Sequence, residues 1–138
     1  MTRDMNIAGL APFLSNYDRL VIKIGSALLV EDKTYALRES WLTTICEEIT
    51  SRHIQGKETL IVSSGAIALG RARLGLIGRS LSLAEKQACA ASGQSLLTQA
   101  YDKALSAYKL NAAQALLTLN DTEDRRHWLN ARSTLQTL

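Results

Sequence analysis

Arg19-Leu-Val-Ile-Lys-Ile-Gly-Ser26 and Thr59-Leu-Ile-Val-Ser-Ser-Gly-Ala66 decide the fold. Each is a short apolar run, rich in β-branched residues and closed by glycine, as a strand buried in a parallel sheet would be. Between them the period changes. Leu37, Trp41, Ile45 and Ile49 fall four apart, with Leu42 beside them, which predicts an amphipathic helix from Ala36 to about Gln55. Gly56 follows as its stop. A strand, a helix and a second strand in that order imply parallel pairing through a right-handed crossover.

After Gly65 the pattern predicts helix from Ala66 to Leu74 and a loop from Gly75 to Arg79. Ser82-Leu-Ala-Glu85 has capping-box spacing and opens a long helix to about Tyr108. Ala88, Ala90, Ala91, Ser92 and Gly93 make its first half small-sided, so another backbone can approach it closely. That backbone is a second copy's, another protein's or part of this chain. Asn111 to Leu119 reads as a third strand. Asn120-Asp-Thr-Glu123 reads as another cap, with helix continuing to Leu138. The order expected is β-α-β-α-α-β-α, an α/β fold.

The 138 residues fit one domain. Residues 1–18 are weakly patterned and read as a flexible lead-in, with no signal-peptide layout. Residues 19–138 carry the fold. Three strands make a thin parallel sheet, and parallel sheets are normally covered on both faces. The last predicted helix has no glycine cap and no strand after it, so the chain reads as cut short.

The net charge is +3, but the densest basic cluster, Arg71, Arg73 and Arg79, has no aromatic interleaving and reads as a solvated face. Nucleic-acid binding is not expected. No run reaches the ~18 apolar residues of a membrane span. Cys46 and Cys89 fit no metal spacing and read as small buried hydrophobes in a reducing compartment, the cytoplasm. His53 and His127 have no partner at ligand spacing, so no metal site is expected.

Two loops carry chemistry. A lysine inside an apolar strand is costly unless its charge meets an anion, and Lys23 lies near the strand's C-terminal end, where open α/β sheets bind ligands. Gly25 lets a phosphate approach the backbone. The second loop, Ser63-Ser-Gly-Ala66, runs from strand into helix, whose first amides form an anion site. Gly65 and Gly70 are spaced like a Walker A loop, but Arg71 and Ala72 replace its Lys and Ser/Thr. Two consecutive parallel strands ending in glycine loops put both loops on one sheet edge. That suits phosphoryl transfer, where positioning and charge neutralisation do most of the work.

Three segments resemble the amino acid kinase family: Val21-Ile-Lys-Ile-Gly-Ser26, Ile61-Val-Ser-Ser-Gly-Ala-Ile-Ala-Leu-Gly70 and Glu85-Lys-Gln-Ala-Cys-Ala-Ala-Ser-Gly-Gln94. Gln114-Ala-Leu-Leu-Thr-Leu119, Glu123-Asp-Arg125 and Leu129-Asn-Ala-Arg132 add to the likeness. Within the family they are most similar to members that phosphorylate the γ-carboxylate of L-glutamate at the head of proline biosynthesis. The resemblance implies a three-layer α/β/α fold with a mainly parallel sheet, of which residues 19–138 are the N-terminal, acceptor- and phosphate-facing part. It implies ATP and Mg2+, the magnesium region lying outside this chain, and L-glutamate as acceptor. It also implies feedback by proline and assembly into a homo-oligomer. By position, Lys23 is the catalytic and ATP-phosphate lysine, with Gly25, Ser26 and Gly65 as further cofactor contacts. Ser64, Gly65 and Ala66 bind the substrate. The resemblance places the adenine region, a second lysine and an Asn/Asp-rich glutamate segment beyond Leu138, so this chain alone is expected to be inactive. The alternative is a non-catalytic amino-acid-binding or interaction module derived from such a kinase.

Overall fold

The computed structural model describes residues 14–138. Most of the expected lead-in, residues 1–13, lies outside the described residues. The elements are β1 (Arg19–Ile24), α1 (Ser26–Leu29), α2 (Glu39–Ile54), β2 (Glu58–Ser63), α3 (Ala66–Arg73), α4 (Leu83–Ser106), α5 (Leu119–Glu123) and α6 (Arg125–Thr137). β1 and β2 pair in parallel, from Arg19 opposite Glu58 to Ile24 opposite Ser63.

The core sits on one side of this sheet. Leu42, Cys46, Ile49 and Thr50 form the buried stripe of α2, and they meet Ile24, Leu29, Val30, Leu69, Leu97, Tyr101 and Leu105. Cys46 and Cys89 are both free and buried, as their composition suggested. Burial pushes the Cys46 thiol up to about 11. The Thr50 hydroxyl donates to the Cys46 carbonyl at 2.7 Å, which is how a polar side chain stays buried at low cost. α2 ends where Gly56 takes φ +73°, the left-handed conformation that glycine adopts freely.

The small-sided stretch of α4 serves a contact inside the chain. A Cβ on Gly70 would lie 1.8 Å from the Cys89 carbonyl oxygen, and one on Gly93 would lie 1.8 Å from that of Ala66. α3 and α4 therefore touch backbone to backbone. The cap of α4 is as expected: the Ser82 hydroxyl accepts from the Glu85 amide at 3.3 Å, and the Glu85 carboxylate accepts from the Ser82 amide at 2.9 Å. That amide, with Arg79, holds the Glu85 carboxyl below its ordinary value.

Three expectations need correction. Residues 111–118 form no strand. The sheet has two strands, and Leu116 and Leu117 are exposed: an apolar run becomes a strand only when a sheet edge receives its backbone groups. The last helix is not continuous. The cap falls two residues earlier than read, where the Asp121 carboxylate accepts from the Thr118 amide and hydroxyl at 2.7 and 2.6 Å. Asp124 then starts α6 afresh by accepting from the amides of Arg126 and His127, both at 2.9 Å. Finally, the basic cluster is not one solvated face. Arg79 pairs with Glu85, and Arg71 is half-buried against Tyr35.

The strands also differ from the expected double burial. Leu20, Ile22, Ile24, Thr59, Ile61 and Ser63 face the helices, while Val21, Lys23, Leu60 and Val62 lie exposed on the other face. The architecture is α/β, a small parallel sheet covered on one side.

Candidate active site

Both glycine loops end at the same sheet edge, and they touch. The Ser64 amide donates to the Ile24 carbonyl at 2.9 Å, carrying the ladder one step past β2. Gly65 follows at φ +114°, a region that side chains rarely adopt. A Cβ there would lie 3.2 Å from Val30 Cγ2 and 3.9 Å from the Ser26 Cα. Glycine is therefore needed twice: for its φ, and to let the loop after β2 nest on the turn after β1. Gly25 differs. Its φ of −74° suits any residue, and a Cβ there would meet nothing within 4 Å. What glycine gives at Gly25 is clear space beside the backbone, as close approach by a ligand requires.

An open cavity of about 530 Å³ lies at this edge, lined by Ser26, Tyr35, Ser64, Gly65, Ala66, Ile67, Ala68 and Arg71. It contains the start of α3, whose first amides have no acceptor within the helix. Ser26, Ser64, Gly65 and Ala66 are thus brought together as expected. Lys23 and Gly25 are not among the lining residues. Lys23 stands opposite Val62 in register and is exposed on the bare face, two residues before the loop. The predicted residues divide between the cavity and the bare face, with the turn at Gly25 and Ser26 between them.

Tyr35 and Arg71 were not anticipated at this site. Arg71 Nη1 donates to the Tyr35 hydroxyl at 3.1 Å, and the guanidinium carbon lies 5.4 Å from the ring centre, within cation–π range. Tyr35 holds a left-handed conformation, φ +54°, in a loop closed by the Glu31 amide donating to Ala36 and the Arg38 amide donating to Leu29. The available sequence signal was the failed Walker spacing, which put an arginine one turn into the helix after the glycine loop.

The arrangement offers amides, two hydroxyls and a cation to an anionic ligand. Among the described residues there is no group of three or more His, Cys, Asp or Glu side chains placed to hold a metal ion. The displaced carboxyls lie elsewhere. Glu58, at the opposite end of the sheet, is held below its ordinary value by its hydrogen bond and ion pair with Arg19.

Comparison with known proteins agrees with this edge. Residues 18–138 match the amino acid kinase family. The chain is 53% identical to the glutamate 5-kinase of Caulobacter vibrioides over 120 residues, covering 87% of this chain and 32% of that protein. It is 53% identical to the glutamate 5-kinase of Gluconobacter oxydans over 128 residues, 93% of this chain and 34% of that protein. It is 51% identical to that of Brucella anthropi over 125 residues, 91% and 33%. The chain spans about a third of the length of these relatives. With two glycine loops on one edge of a parallel sheet, and a family match from residue 18 to residue 138, the chain belongs to the amino acid kinase family.

Proposed function

We propose that this chain is the acceptor- and phosphate-facing part of a glutamate 5-kinase, which phosphorylates the γ-carboxylate of L-glutamate from ATP in the first step of proline biosynthesis. The observation that carries this reading is the contact between the Gly25-Ser26 turn and the Ser64-Gly65 loop, beside the open cavity at the start of α3. The identity of about half of the matched residues to glutamate 5-kinases supports the choice of acceptor.

When bound, ATP supplies the γ-phosphoryl group. The Ser64 hydroxyl and the amides of Gly65 and Ala66 hold the acceptor carboxylate, whose oxygen forms the new bond to phosphorus as the bond to the β-phosphate oxygen breaks. The Gly25 and Ser26 backbone faces the phosphates from the neighbouring strand. Lys23, near the same edge, neutralises charge on the transferring group, an interaction that strengthens as the transition state forms. No side chain need remove a proton, because a carboxylate is already a nucleophile at neutral pH. Mg2+ accompanies ATP in such chemistry, and the described residues hold no acidic cluster to take it.

The bare sheet face supports a second helical layer, completing a three-layer α/β/α sandwich in a protein of the relatives' length. Residues 1–18 are a lead-in to this domain. The Arg52 guanidinium donates to the Leu14 and Tyr17 carbonyls, which ties the end of that segment to α2. Assembly of identical subunits and feedback by proline rest on the resemblance alone. No described helix is long and apolar enough to cross a membrane, and a cytoplasmic enzyme fits the two free cysteines.

The test is a chimera in which residues 18–138 replace the matched third of the Caulobacter vibrioides enzyme. Acyl phosphate trapped as hydroxamate should form only with both ATP and glutamate. Binding of glutamate by a folded chimera that forms no hydroxamate would instead favour an amino-acid-binding module.

A further inference from the structure

Arg71 is the one charged side chain among the described residues lining the active-site cavity, and the reaction set out above leaves it unused. It is half-buried and has no ion pair; the pairs among the described residues are Arg19 with Glu58, Arg79 with Glu85, and His127 with Asp121. One of its five N–H groups is spent on Tyr35, and its Nε is buried without a partner. A guanidinium withdrawn from water and left without an anion is costly. A cation in the last turn of a helix is explained by the helix dipole, and exposed Arg73 needs no more than that. The dipole does not explain why Arg71 is drawn in against an aromatic ring. Tyr35 reaches it from a left-handed backbone, a conformation that bulky residues rarely hold and that recurs at ligand clamps.

The direction of the side chain follows from helix geometry. Helical side chains lean toward the N-terminus and cover the preceding turn. Arg71 therefore leans over Ile67 toward Ser64, Gly65 and Ala66. The rise from Ala66 to Arg71 is about 7.5 Å, and the lean shortens the gap toward the length of a small dicarboxylate.

We propose that Arg71, aligned by Tyr35, is a specificity-determining residue that receives the second carboxylate of the acceptor, the one that is not phosphorylated. The ligand class is an α-amino dicarboxylate. The proposal rests on the kinase reading for the position of the reacting carboxylate, and on the geometry of Arg71 for the other. Arginine suits this work because its fork takes a carboxylate with two parallel hydrogen bonds.

The experiment is a titration of the 138-residue chain, followed by NMR at the Arg71 Nε–H and at the Ser64 and Gly65 amides. The probes are L-glutamate and 4-aminobutyrate, which keeps the reacting carboxylate and lacks the other. Glutamate should shift all three signals. 4-Aminobutyrate should shift only the loop amides and should bind about tenfold more weakly, the loss expected for one charged hydrogen-bonded pair. Arg71→Met should erase the preference, and Arg71→Lys should restore part of it. Glutamate moving the loop amides while Arg71 stays still, or an unchanged preference in Arg71→Met, would overturn the proposal and leave the kinase reading intact. So would silence at all three signals, since hydroxamate formation by the chimera decides the kinase reading separately. The wild-type titration is decisive even if Arg71→Met does not fold.

Discussion

The two faces of the β1–β2 sheet are made of similar residues and meet opposite fates. Leu20, Ile22, Ile24 and Ile61 turn toward the helices and join or adjoin the core. Val21, Leu60 and Val62 turn the other way and are 57%, 39% and 48% exposed. Solvent-facing strand positions usually carry polar residues, so three aliphatic side chains on an open face, with Lys23 among them, are dressed for burial. The difference teaches that each strand's composition answers to what covers it in the complete fold. The relatives are about three times the length of this chain, and their additional residues are the natural source of that cover. It also separates two kinds of glycine. Those of the α3–α4 contact are structural, and the one after β1 keeps a surface clear.

The comparison can be broken most sharply on the covered side. Gly70→Ala or Gly93→Ala forces α3 and α4 apart, because the listless space for a methyl group is already filled by backbone oxygen. Each should cost about 3 kcal/mol in denaturant unfolding. A loss under 1 kcal/mol would mean the helices are not held backbone to backbone. Leu42→Ala, 2% exposed in the core, should cost about 2–3 kcal/mol. On the bare face, Val62→Thr keeps the β-branch and should change stability by no more than about 0.5 kcal/mol. A cost comparable to Leu42→Ala would show that this face is already covered in solution, and would erase the contrast.

A smaller effect concerns α6, which contributes no buried residue. Asp124 and Asp121 are held below their ordinary value of 3.8, Asp124 by the amides it caps and Asp121 by Thr118. A carboxyl with a lowered folded value stabilises fully above its unfolded value, and that stabilisation fades as pH falls through the folded one. Circular dichroism should therefore show a modest helix loss below about pH 4, in a step removed by Asp124→Asn. In the opposite direction, the buried Cys46 thiol, moved from 9.0 to about 11, makes stability decline as pH rises from 9.0 toward 11.

Much of the fold was legible because its signals are local. The β-branched runs ending at Gly25 and Gly65, the stripe of α2 and the Ser82–Glu85 box are each read within a few residues. What failed depended on distant partners. Asn111 to Leu119 has a strand's composition, but a strand forms only beside another. The small residues of α4 announced a close approach without saying to what, and Gly70 and Ala66 supply the answer. At the site, Ser64, Gly65, Ala66 and Ser26 were found from glycine spacing at strand ends. Arg71 was passed over as surface charge, because half-burial against Tyr35 comes from a loop 36 residues away in sequence. Lys23 was found by its cost in an apolar strand, and its place on the bare face follows from strand alternation.

The central claim is that the two loops divide phosphoryl transfer, with Lys23 serving the transferring group and Ser64 the acceptor. Steady-state hydroxamate kinetics of the chimera, with Lys23→Ala and Ser64→Ala introduced separately, test it most directly. Lys23→Ala should lower kcat about 100-fold or more, with KM for glutamate little changed. Ser64→Ala should chiefly raise KM for glutamate. Wild-type turnover in Lys23→Ala would contradict the account.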